Sequence, residues 1–358
     1  MSSKHHCRTS PDFGAHPSVP GPVPTDANVH NAPTGVVLVG RAGGLRDEAA
    51  RHFGTVAPII AQVDHTSQLT DIVAGRTGVR PLAGAGIVFI AEPFLPGLGT
   101  RLRNRHRSRG LMAQYAALAR VLRRLGADRL VVCSSVFLYS DDAGQPLLPT
   151  SPIEPRAETV AAHAAEDAAR VFTSLGGQSV ILRLGWVFDD YDPITAKLVS
   201  AAEKGWKLIE GRPSSWVAAI ASGDAVRAIH AGFAAPPGTY NVSDGQPVTQ
   251  GAINAVLERA TGKVLHPLYD ASWGESGTLF GASRLLADDH FAALTGWQPT
   301  GTNLCHYLLL RVRHRSRSAA QADRDSDDQP ALRDHAVRRR GVGGSRSPCD
   351  PFFSGTTI

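Results

Sequence analysis

Continuous apolar runs alternate with amphipathic stretches along most of the chain. Gly35–Gly40 (GVVLVG) and Gly86–Ala91 (GIVFIA) are unbroken apolar runs bounded by small residues, a pattern typical of central parallel strands that are buried on both faces. Asp128–Ser135 (DRLVVCSS) and Ser179–Leu184 (SVILRL) have the same character. These four segments predict a parallel β-sheet.

Between the strands, apolar residues recur at helical spacing. Leu111, Tyr115, Leu118 and Leu122 fall on one face of a predicted helix that Gly126 is placed to end. A long Ala-rich helix is predicted over roughly 157–175. Strands that alternate with helices predict an α/β protein, namely a Rossmann-type doubly wound parallel sheet with helices on both faces.

Charge and cysteine usage argue against several classes of function. The formal net charge is +5, but ten arginines and six aspartates lie in residues 311–358, so the predicted globular body is close to neutral. A nucleic-acid partner is therefore not expected, because binding along phosphates needs a basic surface on the folded domain. The four cysteines lack metal-ligand spacing, so no metal site is predicted. No apolar run is long enough for a membrane span or a secretory signal, which predicts a cytoplasmic protein without a membrane partner.

The first predicted strand ends in a glycine-rich turn. Gly40, Gly43 and Gly44, with Arg41 between them, are followed by a helical stretch. Glycines let the backbone approach a pyrophosphate closely, and the N–H groups at a helix start favour an anion, so these four residues are candidate dinucleotide ligands. Arg46 stands where the fingerprint has its third glycine, and a plain strand-to-helix turn is the alternative interpretation.

The acidic residue expected to hold the adenosine ribose is harder to place. Asp64 comes roughly 24 residues after Gly40 and is the candidate, although the same residue could cap a short helix over 67–74. Only about 45 residues separate Gly43 from the strand at Val88. That spacing predicts that one of the usual strands is missing.

Several motifs follow one another along the chain, namely Val131–Tyr139 (VVCSSVFLY), Pro152–Pro155 (PIEP), Ile181–Phe188 (ILRLGWVF), Ile220–Ala228, Gly238–Pro247 and Thr295–Pro299 (TGWQP). In this order they resemble the NAD-dependent epimerase/dehydratase family of extended short-chain dehydrogenases, over roughly residues 35–300. The resemblance implies a cofactor, NAD or NADP, to which Ser134 and Gly185 also contribute. It further implies a small-molecule substrate, either a free or a nucleotide-linked carbonyl or polyol compound.

The resemblance also shows where this chain departs from the family. Ser135 corresponds to the hydroxyl that hydrogen-bonds the reacting oxygen. In the family a helix Tyr is the general acid/base and a Lys four residues later lowers its pKa. Counting back from Glu166 places Glu158 and Ala162 at these two positions. Glu158 is therefore the candidate acid/base, with His163 as a substitute, and the alternative is that both are solvated helix residues.

The substrate side carries two further features. Asp189, Asp190 and Asp192 precede a predicted helix, where carboxylates either cap the helix or bind a metal ion. Trp186, Trp206, Trp216 and Trp297 are not interleaved with basic residues, so core or cleft-wall packing is predicted rather than stacking with nucleic-acid bases.

Composition divides the chain into four segments. Residues 1–33 are Pro-rich with few large apolar side chains and predict a disordered lead. Residues 34–188 predict the dinucleotide-binding domain, and residues 189–310 predict a small C-terminal substrate-side α/β region packed on it. Residues 311–358 mix Arg, Ser and Asp and predict a disordered tail. The abrupt change there favours a shifted reading frame or a late replacement of the family's last helix.

Two functions follow from these observations. The first is an NAD(P)-dependent oxidoreductase or epimerase with an atypical active site, indicated by the family resemblance and Ser135. The second is an NAD(P)-binding or sensing protein that has lost hydride chemistry, indicated by Glu158 and Ala162. The resemblance also implies a homodimer that pairs through the two long helices near 111–126 and 157–175.

Overall fold

The computed structural model describes residues 33–63, 82–91, 98–141, 144–208, 211–268 and 281–327. The chain divides after Arg313 into two compact units. The sheets and the candidate site described below belong to the first unit.

The first unit is built around a parallel six-stranded sheet in which every pairing runs in the same direction. Its order is β10-β5-β4-β3-β1-β2, so the chain starts in the interior of the sheet, moves to one edge and then crosses to the other side. The predicted α/β class and doubly wound sheet are confirmed. The strands are β1 Val36–Val39, β2 Ile59–Val63, β3 Gly86–Ile90, β4 Arg129–Ser135, β5 Gln178–Leu184 and β10 Gly238–Val242.

Helices cover both faces of this sheet because successive strand residues point to opposite sides. Val36 and Leu38 pack in one apolar cluster with α1 (Gly44–Phe53) and α5 (Ser222–Gly232). Val37 and Val39 pack in another cluster on the opposite face. The helices on that opposite face are α2, Leu98–Arg124, and α3, Val160–Ser174.

A second, smaller group of elements has its own apolar core. It packs α4 (Pro193–Glu203) and α6 (Gln250–Thr261) with the first turns of α8 (Leu304–Asp327). Short strand pairs join these helices, and α7 spans Asp289–Thr295. The short strands are β6 Trp186–Phe188, β7 Trp206–Lys207, β8 Trp216–Val217, β9 Ala219–Ala221, β11 Val248–Thr249 and β12 His266–Pro267.

Element ends differ from the sequence predictions in two places. The Ala-rich helix begins at Val160 instead of 157, because Arg156 and Thr159 close a separate turn through the bond from the Arg156 N–H to Thr159 Oγ1 at 3.0 Å. The tail predicted from Arg311 begins inside α8, which continues to Asp327. Low apolar content argues against burial but does not prevent a helix, and Arg, Ala and Gln are good helix formers.

Among the described residues, β2 is the one strand that lies beyond β1. The stretch to which the predicted loss of a strand refers, 64–81, lies outside the described residues. No helix in the described ranges is both long and apolar enough to span a bilayer.

Candidate functional site

The glycine turn lies at the carboxyl end of β1. At this strand the sheet order reverses, because the chain first adds a strand on one side of β1 and then crosses to the other side. β1 pairs with β2 on one side and with β3 on the other. In open α/β sheets, ligands bind in the crevice at such a switch point. A Cβ on Gly40 would lie 2.8 Å from the carbonyl oxygen of Ile90, so only glycine lets the turn pass β3 this closely.

The turn is open on its outer side. Gly43 has φ +100° and Gly44 has φ +49°, and a Cβ on either residue would meet no other atom of the described residues within 4 Å. The N-cap residue of α1 is Gly43, which has no side chain to cap the helix, and residues 41–44, including Arg41, are exposed. The structure therefore brings four predicted cofactor ligands together in an unobstructed turn.

Arg46, which takes the place of the third glycine, lies under the turn. It is only 7% exposed, and its Nη2 donates to Asp47 Oδ1 at 3.0 Å. Burial acts to raise the pKa of Asp47, but the backbone N–H of Gly43 and the Arg46 guanidinium outweigh it, so the pKa is lowered. A carboxylate thus already occupies one N–H group at the start of α1.

Of the other three predicted cofactor residues, two are buried, and the third is not among the described residues. Gly185 is buried where β5 passes into β6, and a Cβ there would lie 3.0 Å from the backbone of Ala218. Close backbone packing accounts for this glycine. Ser134 is buried, and its hydroxyl donates to Glu166 Oε1 at 2.7 Å. Asp64 lies outside the described residues.

Ser135 ends β4 at the same edge of the sheet as the glycine turn. It is partly exposed, and its Oγ accepts a hydrogen bond from the Phe137 N–H at 3.2 Å, which caps the 3₁₀ turn Val136–Leu138. A hydroxyl that accepts one bond can still donate its proton. The geometry therefore allows Ser135 to donate to a reacting oxygen, as the resemblance implies.

Glu158 does not lie on the helix where the family's Tyr would be. It precedes α3, in the turn that ends at Thr159, and is 5% exposed. The prediction of a helical, solvated Glu158 is wrong in these two respects, because the helix starts two residues later. His163 does lie on α3, with its Nδ1 4.0 Å from the carboxylate of Asp167 one turn further along.

A buried polar network links α3 to the sheet, and sequence reasoning missed it. Arg183 of β5 donates from Nε and Nη2 to the two carboxylate oxygens of Glu166, at 2.8 and 2.9 Å. Its Nη1 donates to Tyr139 Oη at 2.8 Å, and that hydroxyl donates to Asn241 Oδ1 at 2.7 Å. Glu166, used above only to align the sequence, is thus the counter-ion of a buried guanidinium. The pairing of LR in a strand with Glu in an Ala-rich helix is the signal that could have revealed it.

The aspartates after β6 organise their own loop. Asp192 is the N-cap of α4, where its Oδ2 accepts from the Thr195 N–H at 2.7 Å. Asp189 Oδ1 accepts from two backbone N–H groups of the loop. Asp190 Oδ1 accepts from the Tyr307 hydroxyl at 2.6 Å. Capping is therefore the better interpretation, and no metal-binding group of three or more His, Cys, Asp or Glu occurs in the described part of the chain.

A pocket lies beside Ser135, between the end of β4 and the smaller group of elements. Its space of about 280 Å³ includes open solvent, and the enclosed part has room for no more than about one water molecule. Two of the four tryptophans predicted as core or cleft-wall residues line it, Trp186 and Trp216. Of the other two, Trp297 is in the main core and Trp206 is 41% exposed. The lining residues are Val136, Phe137, Trp186, Trp216, Val217, Ala218, Gln250, Ala282 and Arg284.

A scan against protein-family models finds no matching family, and a search of curated proteins finds none similar in sequence. Solved structures with the same fold are numerous. UDP-glucose 4-epimerase of Thermus thermophilus in complex with NAD is 17% identical, with 78% of this chain and 98% of that chain covered and a TM-score of 0.62. UDP-glucose 4-epimerase of Thermotoga maritima with UDP-glucose is 14% identical, with 80% and 99% covered and a TM-score of 0.62.

A third neighbour is a dehydratase. The dTDP-glucose 4,6-dehydratase DesIV of Streptomyces venezuelae, with NAD bound, is 14% identical, with 80% of this chain and 98% of that chain covered and a TM-score of 0.63. The resemblance predicted from the motifs is thus confirmed at the level of the fold, which this chain shares with these two epimerases and the dehydratase.

Proposed function

We propose that this chain binds NAD or NADP at the glycine turn and acts as an atypical oxidoreductase or epimerase on a small carbonyl or polyol substrate. The observation that carries the proposal is the open turn at the switch point of the sheet. Ser135 ends a strand of the same parallel sheet, so its hydroxyl and the turn face the same crevice.

The cofactor site is supported by backbone geometry. A diphosphate bound above Gly43 and Gly44 would meet the positive end of the α1 dipole and the N–H groups of the first turn other than that of Gly43, which the Asp47 carboxylate already holds. Arg41 is exposed in the same turn and adds positive charge. The nicotinamide, when bound, accepts or returns a hydride. The solved neighbours that contain NAD support NAD binding.

Ser135 has a defined role in this proposal. Removing a hydride from a carbinol carbon also releases the hydroxyl proton, which a base must take. The Ser135 hydroxyl can hydrogen-bond the substrate oxygen and hold it in place, but a serine alone does not retain the proton at neutral pH. Glu158, in the turn that leads into α3, is the proposed base.

A second function is favoured by the residues that stand at the positions of the family's Tyr and Lys. Ala162 is buried and carries no titratable group, and no Tyr precedes a Lys by four residues anywhere in the sequence. This departure supports a protein that binds NAD(P) as a sensor or structural ligand and does not transfer hydride.

Calorimetry on the full chain with NAD, NADH, NADP and NADPH tests the proposal. We expect micromolar binding of at least one pair. Absence of binding by all four would overturn both functions. If binding is found, steady nicotinamide turnover with any member of a carbonyl and sugar-nucleotide panel supports the enzyme, and its absence with every member supports the sensor.

The oligomeric state is a separate part of the proposal. We propose a homodimer that pairs through α2 and α3, which pack side by side on one face of the sheet. Sedimentation velocity should give the mass of two chains, and a monomer across the micromolar range would refute the pairing.

A further inference from the structure

Helix α2 carries a strong positive charge that the net charge of the chain conceals. Its 27 residues include eight arginines and no aspartate or glutamate. Residues 34–310 together carry a net charge of +1, of which α2 contributes +8, so the rest of this range carries −7. Five of the eight arginines lie within nine residues, in the sequence RLRNRHRSR over 101–109. We refer to residues 98–109 as the arginine arm.

Helix α2 runs antiparallel to β3 and is longer than the strand beside it. Just after the helix ends, the carbonyl oxygen of Leu125 accepts a hydrogen bond from the N–H of Leu82, which precedes β3, at 2.6 Å. Toward the other end of the strand, the ring centroids of Phe89 and Tyr115 lie 4.5 Å apart. Phe89 is the last residue but one of β3. The part of α2 that precedes Tyr115 therefore extends past the carboxyl edge of the sheet.

The edge past which α2 extends is the one that carries the proposed site. In the strand register, Phe89 is level with Val39 of β1, the residue before Gly40. It is also level with Val132 of β4, three residues before Ser135. Because a strand rises about 3.3 Å per residue, Ser135 lies about 10 Å beyond Phe89 along the strands.

The arginine arm reaches the same level and continues outward. A helix rises about 1.5 Å per residue, so Arg109 lies about 9 Å beyond Tyr115 along the axis of α2, and Arg101 lies about 21 Å beyond it. Positions 101, 105 and 109 fall on one side of the helix, and positions 103 and 107 fall on the opposite side. Arginines therefore occupy both sides of the arginine arm, beside the opening of the crevice.

The arginine arm is an unfavourable arrangement for a helix by itself. Like charges one turn apart destabilise a helix, and positions 101/105, 103/107 and 105/109 are all pairs of arginines. A bound anion removes this repulsion, and guanidinium groups form strong, charge-assisted hydrogen bonds with phosphate. The proposed cofactor is such an anion, and the crevice that it must enter lies at this edge of the sheet.

We propose that the arginine arm captures the phosphate groups of the dinucleotide and steers it into the crevice, so that it sets the rate of cofactor association. This inference rests on the proposed function and adds to that site a second set of residues, apart from the glycine turn. A charged wall beside a crevice raises association rates about 10- to 1,000-fold, and the effect falls steeply with ionic strength. NADPH carries about two more negative charges than NADH, on its 2′-phosphate, and should therefore associate faster at low salt.

Stopped-flow measurements on the full chain test the inference. Nicotinamide fluorescence follows the association of NADH and of NADPH at several salt concentrations. We expect both rate constants to fall at least about tenfold from about 20 mM to about 300 mM NaCl, because salt screens the charges of the arginine arm. Rate constants that do not change with salt would overturn the inference.

Two double variants separate the arginine arm from the rest of α2. Arg101→Gln with Arg105→Gln removes two charges from the arm. Arg120→Gln with Arg124→Gln is the matched control, because it removes two charges from exposed positions of the same helix that lie level with the sheet or beyond its opposite edge. At low salt we expect about tenfold slower association of NADPH for the arm variant and less than about a twofold change for the control.

The substitutions should leave α2 folded, since Gln and Arg have similar helix propensities, and circular dichroism checks this. Arg103→Gln with Arg107→Gln, on the opposite side of the helix, decides the question if the first arm variant does not fold. A folded arm variant that associates as fast as wild type refutes the inference.

The remaining outcomes separate this inference from its rivals. If neither NADH nor NADPH binds to the wild-type chain, the proposed function fails. If both bind at rates that neither salt nor the arm variants change, only the inference fails. Nucleic acid is the rival ligand of a basic helix. Binding of a short DNA duplex that the arm variants abolish, with NADH association unchanged, would assign the arginine arm to nucleic acid and overturn the inference.

Discussion

The segment from β1 to α1 and the segment from β4 to α3 both lead from the carboxyl end of a strand into a helix, yet they differ in what they present. The first presents an exposed glycine turn at the start of a helix, in which the Gly43 N–H is bonded to the Asp47 carboxylate. The second buries its polar side chains, with Ser134 bonded to Glu166 and Glu158 only 5% exposed. A cofactor site made of backbone tolerates a divergent sequence, whereas proton-transfer groups made of side chains are lost by single substitutions.

The largest effect on stability is expected from breaking the buried ion pair between Glu166 and Arg183. Glu166→Ala leaves the Arg183 guanidinium buried without its counter-ion, which costs about 3–5 kcal/mol of unfolding free energy. Urea denaturation measures the loss. Glu154→Ala is the control, because Glu154 forms an ion pair with Arg156 in which both side chains are exposed to water, and it should cost less than about 1 kcal/mol. A loss for Glu166→Ala as small as that of the control would show that the network does not anchor α3.

A second buried carboxyl, Asp244 at the end of β10, predicts a pH effect. Burial raises its pKa to about 7, and Asp288 acts in the same direction. The folded state then holds a proton that the unfolded state releases near pH 4, so stability is present below that pH and falls as pH rises toward 7. The fall corresponds to at most about 4 kcal/mol.

Asp244→Asn should abolish this fall, and the variant should be more stable than wild type at pH 8. Unfolding free energies measured in urea from pH 4 to pH 8 test it. Asp128→Asn, at an exposed carboxylate, should leave the profile unchanged. Parallel profiles for wild type and Asp244→Asn over this range would contradict the assignment.

In the exposed glycine turn, Gly43→Ala tests whether the cofactor binds there. Its φ of +100° disfavours an L residue, and the new Cβ would occupy the open side of the turn where a diphosphate must approach. We expect NAD(P) affinity to drop about tenfold, or about 1.4 kcal/mol, in calorimetry.

Gly262→Ala is matched to it, since Gly262 also has a positive φ of +69° and open space around it but lies at the end of α6. It should cost a similar amount of stability and leave cofactor affinity unchanged. Equal affinities for Gly43→Ala and wild type would place the cofactor elsewhere.

The smallest effect on stability is expected from a pair of histidines that joins α1 to α5. His52 of α1 and His230 of α5 are hydrogen-bonded through Nε2 and Nδ1 at 3.0 Å. Burial lowers the pKa of each, and Arg227 lowers that of His52 further while Glu48 opposes the shift. Because the folded pKa values lie below the unfolded value of about 6.5, the stability they support is present above pH 6.5 and is lost as pH falls below it.

His230→Gln keeps a hydrogen-bonding side chain without titrating in this range. We expect unfolding free energies between pH 7 and pH 5 to fall less steeply in the variant than in wild type. His306→Gln, at an exposed histidine on α8, serves as control. Parallel slopes for His230→Gln and wild type would mean that the pair stays neutral or does not join the helices.

The sequence predicted the sheet well because its central strands are continuous apolar runs that only a doubly covered sheet can bury. It also located the glycine turn, since positive φ restricts these positions to glycine. The Arg183–Glu166 pair was missed: the sequence shows an Arg in a strand and a Glu in an Ala-rich helix, but their contact depends on how α3 packs against β5. The start of α3 was misplaced because the turn at Arg156–Thr159 has helix-like composition. The alternative that Asp192 caps α4 proved the better one, as its side-chain bonds are local.

The contacts that hold α8 in place show why its unusual composition is tolerated. Its inward-facing residues Leu304, Leu308 and Val312 lie in the smaller core, and Arg311 is 3.0 Å from the Asp190 carboxylate. All of these contacts come from the first turns of the helix. A mutation that scrambled the codons downstream of them would leave these contacts intact. Natural selection that acts on these contacts would then not remove it.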